Sequence, residues 1–127
     1  MHLIVDAYGD SRELLLREDL LKTWLLKAAE VSGMTVYGEP EVKDYPFPYQ
    51  DSTALSAVVF LGQSSITVHT YPEFSFVYLD IFSCLQFRRK EVIDFVKSSF
   101  KVTSCTIVVL NRGIDSMGKP IQLEVLE

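Results

Sequence analysis

Three runs of strand-forming residues lie almost end to end between positions 54 and 83. Ala54–Leu61 is the first, and Gly62-Gln63 interrupts it. Ser64–Tyr71 alternates polar and apolar side chains until Pro72-Glu73 breaks it, and Phe74–Ser83 follows. Breaks this short leave no room for a crossover, which takes a dozen or more residues, so neighbouring strands must pair antiparallel. A sheet built this way has two faces defined by alternation. Ser65, Thr67, His69 and Tyr71 share one face, and Ile66, Val68 and Thr70 share the other.

The flanking segments supply the rest of the fold. Residues 2–8 read as a strand, and Gly9-Asp10-Ser11 offers a turn and a helix cap. From Arg12 to Ser32, Leu14, Leu21, Trp24, Leu25 and Ala28 recur at helical spacing, with Gly33 as the stop. Met34–Val42 reads as a strand weakened at its end by Pro40, and residues 45–53 as an aromatic, turn-rich loop. Val92, Ile93, Phe95, Val96 and Phe100 mark a second helix over 88–100. Thr103–Leu110 is a strand, and Ile121–Leu126 is a last strand or a tail. The order β-α-β-β-β-β-α-β predicts an α+β fold: a two-layer sandwich, an antiparallel sheet with two helices packed on one face. The uncovered face keeps many apolar side chains, which predicts a homodimer or a higher homo-oligomer.

At 127 residues the chain is expected to form a single domain, 1–127, and its 48% hydrophobic content excludes a disordered chain. A net charge of −5 argues against nucleic acid as a partner. The one basic run, Arg88-Arg89-Lys90, precedes Glu91 and reads as a solvated helix start. No apolar run approaches the roughly 20 residues of a membrane span, so no membrane partner and a cytoplasmic location are expected. Cys84 and Cys105 have no C-x-x-C spacing and only His2 and His69 beside them. That pattern argues against a disulfide and against a metal site.

Chemistry concentrates in residues 56–84. A serine-rich turn feeds a strand that carries His69 and Tyr71, and an antiparallel neighbour can bring Ser56 and Cys84 near the same place. Serine, histidine and cysteine converging beside a glycine turn make a candidate reactive site. Each residue also has an ordinary reading: a turn serine, a hydrogen-bonded histidine, a small buried cysteine.

The segment Gln63–Glu73 resembles the signature of the prokaryotic S-adenosylmethionine decarboxylase family. There a Glu-Ser-His turn leads through an apolar-Ser/Thr-apolar strand to His-Thr-Trp/Tyr-Pro-Glu. Ser64, His69, Thr70, Tyr71, Pro72 and Glu73 fall in place. Leu79-Asp80-Ile81-Phe82-Ser83-Cys84 resembles the family's following strand, Ser56 matches its processing serine, and Arg112-Gly113 its late Arg-Gly. Three positions depart from the pattern: Gln63 stands for Glu, Ser65 for His, and Leu85 for the Gly after the cysteine.

The resemblance implies a self-processing, pyruvoyl-dependent carboxy-lyase. Ser64 would attack the carbonyl of Gln63, and cleavage between 63 and 64 would leave a covalent pyruvoyl cofactor made from Ser64. His69 would move the proton for elimination, Ser56 would assist processing, and Cys84 would return a proton to the substrate. Glu73 would hold the ribose. Tyr71 would stack on adenine, opposite Phe47 or Tyr49. The implied substrate is S-adenosylmethionine, on the route to polyamines, with ornithine or arginine as alternatives where the rim is altered. Gln63 and Ser65 also leave open a non-processing homologue that acts as a partner subunit.

Overall fold

The computed structural model describes residues 1–46 and 53–126. The elements run β1 (His2–Gly9), α1 (Arg12–Leu16), α2 (Glu18–Val31), β2 (Glu41–Pro46), β3 (Thr53–Phe60) and β4 (Ser65–Tyr71). A short 3-10 turn (Pro72–Phe74), β5 (Phe76–Phe82), α3 (Arg89–Ser99), β6 (Val102–Asn111) and β7 (Glu124–Leu126) follow. Seven strands form one sheet in the order β2-β3-β4-β5-β1-β6-β7, and each neighbouring pair is antiparallel. The helices cover one face, so the two-layer α+β sandwich expected from the alternation is the observed architecture.

Alternation sorts the side chains. Leu3, Val5 and Ala7 on β1, Ile66, Val68 and Thr70 on β4, and Val77, Leu79 and Ile81 on β5 are buried under the helices. Leu21, Leu25 and Ala28 of α2 and Val92 and Val96 of α3 meet them. Trp24 stacks on Phe95 with ring centroids 5.6 Å apart and meets Phe100 edge-on at 4.9 Å. Each fully buried Leu or Phe of this core contributes about 1.5–3 kcal/mol. Gly9 marks the closest approach: a Cβ there would lie 2.3 Å from the Phe100 carbonyl oxygen. No described helix is long and apolar enough to cross a membrane.

Two expectations need correction. The helix foreseen from Arg12 to Ser32 is broken, because Arg17 adopts an extended conformation (φ −105°, ψ 116°) and separates α1 from α2. The strand foreseen over Met34–Val42 begins only at Glu41 and extends to Pro46, into what reads as loop. Gly38 at φ +82° turns the chain, and Pro40 has no N–H for a ladder, so pairing starts just after it. The late strand-or-tail segment forms a strand over Glu124–Leu126, paired with Val109–Asn111.

Opposite the helices the sheet is open. Register places Ser56, His69, Tyr78, Asp6 and Thr106 in one row across it, and Phe60, Ser65, Phe82, His2 and Leu110 in another.

Candidate active site

The turn between β3 and β4 is a two-residue hairpin loop, Gly62-Gln63, closed by the Leu61 amide donating to the Ser64 carbonyl at 2.8 Å. Gly62 has φ +75°, the positive value that such loops require and that glycine adopts without a steric penalty. The Gln63–Ser64 bond therefore lies at the hairpin's end. Gln63 is exposed, whereas Ser64 is buried at 5% exposure.

Ser64 Oγ meets Cys84 twice. The Cys84 amide donates to it at 3.0 Å, and the hydroxyl points toward Cys84 Sγ at 3.6 Å. The segment carrying Cys84 is fixed on both sides. The Ser83 amide donates to the Met1 carbonyl at 2.9 Å, and the Leu85 amide donates to Ser83 Oγ at 3.0 Å. The Met1 amino group donates to the Ser83 carbonyl at 2.8 Å. Burial, and then the Arg112 cation, lower the pKa of that amine, with Cys84 opposing. Cys84 is exposed, unlike the small buried residue of the ordinary reading. Arg112 lies over the Phe82 ring, 4.9 Å from its centroid, in a cleft of about 610 Å³ with Leu110, Ile114 and Leu123.

A second pair sits elsewhere. Ser56 and His69 are direct register partners, and Ser56 Oγ is hydrogen-bonded to His69 Nδ1 at 2.8 Å. Both face the open side. Five residues of extended chain separate Ser64 from His69, roughly 16 Å at the usual rise per residue. The expectation that Ser56 and Cys84 meet at one place is thus corrected: Ser56 joins His69, and Cys84 joins Ser64. Antiparallel pairing fixes this outcome, because Ser56 and Ser64 lie on β3 and at the hairpin, eight residues apart in sequence.

Tyr71 ends β4 and meets Tyr78 edge-on at 5.4 Å. With Tyr8, Phe74, Phe76 and Tyr78 it lines an aromatic cleft of about 450 Å³. Glu73 is exposed in the adjoining 3-10 turn. Phe47 and Tyr49 lie outside the described residues.

Sequence reasoning passed over three features. His2 Nε2 lies 2.9 Å from the Asp80 carboxylate on the open face. Arg112 packs on Phe82. Thr70 is fully buried among apolar neighbours, and its signal was legible as a lone hydroxyl on the apolar side of β4.

A family model described as S-adenosylmethionine decarboxylase matches residues 1–113. A Brevibacillus brevis protein named S-adenosylmethionine decarboxylase proenzyme is 32% identical over 91% of this chain and 84% of its own length. A Thermococcus kodakarensis protein of the same name is 31% identical over 90% of this chain and 76% of its own. The crystal structure of the adenosylmethionine decarboxylase from Aquifex aeolicus superposes with a TM-score of 0.70, covering 91% of both chains at 22% identity.

Proposed function

The chain belongs to the S-adenosylmethionine decarboxylase family, and from that premise we propose that it cuts its own backbone between Gln63 and Ser64 and so becomes a pyruvoyl-dependent decarboxylase of S-adenosylmethionine. The observation that carries this reading is the contact between Ser64 Oγ and the Cys84 amide, 3.0 Å, at the end of a glycine hairpin.

The chemistry follows from that contact. Ser64 Oγ attacks the Gln63 carbonyl carbon, so a C–O bond forms as the peptide C–N bond breaks, leaving an ester and a free amine. The Cys84 N–H donates to Oγ, which eases loss of the hydroxyl proton before attack and, in the later elimination, stabilises the same oxygen as it leaves with the Gln63 carboxylate. Loss of the Ser64 α-proton then expels the Gln63 carboxylate and leaves a dehydroalanine. Water replaces its nitrogen, ammonia departs, and a ketone remains at position 64. The products are residues 1–63 and 64–127. Gln63 supports this as well as Glu would, because only its backbone carbonyl takes part.

The residues present fit such a group, since the Cys84 amide and thiol that meet the Ser64 hydroxyl would hold the new terminus. A pyruvoyl ketone supplies an electron sink for loss of carbon dioxide from an α-amino acid. Cys84, exposed beside position 64, returns a proton to the substrate α-carbon. Glu73 accepts hydrogen bonds from ribose hydroxyls, and Tyr71 in its aromatic cleft offers a face to adenine.

Ser56–His69 cannot reach Ser64 within one protomer, and this supports a site completed by a second copy. Two open faces packed about a two-fold axis would set one copy's Ser56–His69 pair against the other's Ser64–Cys84 pair. Ile4, Tyr78, Phe82 and Val108 give that face its apolar character. His69 then serves as the proton-transfer group for the elimination.

The test is intact mass of fresh and aged protein, followed by carbon dioxide release with S-adenosylmethionine, ornithine and arginine side by side. Two fragments and release from S-adenosylmethionine alone are expected. A chain that stays whole would make it a non-catalytic partner subunit. Release from ornithine or arginine instead would reassign the substrate.

A further inference from the structure

We propose that Thr70 is a positioning residue for this reaction, whose buried hydroxyl sets the offset between β3 and β4 that places Ser56 against His69. The proposal rests on the reading of Ser56 and His69 as working residues. Thr70 has no exposed surface, and each of its hydroxyl's two bonds goes to a buried backbone group. The Leu55 amide donates to Thr70 Oγ1 at 3.0 Å, and the hydroxyl donates to the Leu15 carbonyl at 2.8 Å.

The position of these bonds gives them their meaning. The β3–β4 ladder ends at Ser56–His69, one residue short of Leu55 and Thr70. Beyond that point, among the described residues, β3 pairs with β2. The side chain of Thr70 therefore takes over from the ladder, holding Leu55 beside β4 at the position next to Ser56. On its other side, Leu15 is in the last turn of α1, where the chain turns extended at Arg17 and a helix leaves its final carbonyls without partners. One hydroxyl thus ties the broken helix to both strands. A hydroxyl has one proton and two lone pairs, and valine in its place has neither to offer.

Ser56 and His69 are adjacent in sequence to the two residues so clamped. Their 2.8 Å contact lies on the open face, outside the packed core. Removing the clamp frees β3 to slide or lift at Ser56, and a misplacement of about 1 Å can cost on the order of 100-fold in rate.

The experiment compares Thr70→Val, Thr70→Ser and Ser56→Ala, alone and as the pair Thr70→Val with Ser56→Ala. Readouts are the rate of chain scission, kcat and KM of the processed enzyme, and the ring 15N spectrum of His69. With two histidines in the chain, the His69 signals are assignable by His2→Gln. Thr70→Val should slow scission or kcat by roughly tenfold to a hundredfold, with KM little changed. Its His69 spectrum should match that of Ser56→Ala. Adding Ser56→Ala to Thr70→Val should cost almost nothing more, because the pair is already broken. Thr70→Ser should restore both the rate and the ring signature. If Thr70→Val leaves the His69 signature as in the wild type, or the two losses simply multiply, Thr70 does not act through this pair. If Ser56→Ala itself is silent in every rate, the reading of Ser56 fails instead. Should Thr70→Val not fold, Thr70→Ser with a wild-type signature against Thr70→Ala without it decides the question.

Discussion

The Cys84 backbone amide, rather than its thiol, makes the shorter contact with Ser64: N–H to Oγ is 3.0 Å, and Oγ to Sγ is 3.6 Å. Removing the thiol leaves the amide in place. Cys84→Ala should therefore still cut itself, while decarboxylation by the cut enzyme falls by about 10²–10⁴, the usual worth of a positioned acid. Electrophoresis separates the first effect from carbon dioxide release, which reports the second. Full turnover in this variant would remove Cys84 from the chemistry.

Two adjacent serines should behave differently. Ser64 is buried against Cys84, whereas Ser65 begins β4 on the open-face side, opposite Phe60 and Phe82. Ser64→Ala should remain a single 14.4 kDa chain with no activity, and Ser65→Ala should still yield two fragments. Cleavage in Ser64→Ala would move the nucleophile elsewhere.

Gly62→Ala should lose about 1 kcal/mol of stability, because the turn keeps φ +75° and a Cβ there is strained. Thermal melts of the uncut Ser64→Ala background, with and without the change, measure this without interference from scission.

Two inactive chains should rescue each other if the site spans two copies. Random pairing of Ser64→Ala with His69→Ala leaves one intact site in each mixed dimer, so about a quarter of wild-type sites should return. Recovery is read as carbon dioxide release after the two are co-expressed. No recovery, with mixed dimers present by native mass spectrometry, would confine the site to one protomer.

The open face itself can be challenged. Ile4 stands between Asp80 and Val108 in register, at the middle of that face. Ile4→Lys should leave the fold intact by circular dichroism but shift sedimentation toward the monomer and abolish turnover, since the charge must be buried in both copies. An unchanged sedimentation coefficient would point to another interface.

Much of the outcome was local and therefore readable in the chain. The period-2 pattern of Ile66, Val68 and Thr70 against Ser65, Thr67 and His69, together with two-residue breaks, determined strand identity, antiparallel pairing and which face each side chain takes. The signature around Ser64 determined the family. Both depend only on near neighbours along the backbone. Partnerships between strands do not. That Ser64 meets Cys84 while Ser56 meets His69 follows from the register of β3, β4 and β5, and a pairing shifted by one residue would have turned every side chain over. The break at Arg17 and the late start of β2 likewise came from packing and from where ladder bonds could begin. Tertiary structure alone decided that one buried hydroxyl, Thr70, would join two strands and a helix, because its partners lie 15 and 55 residues away.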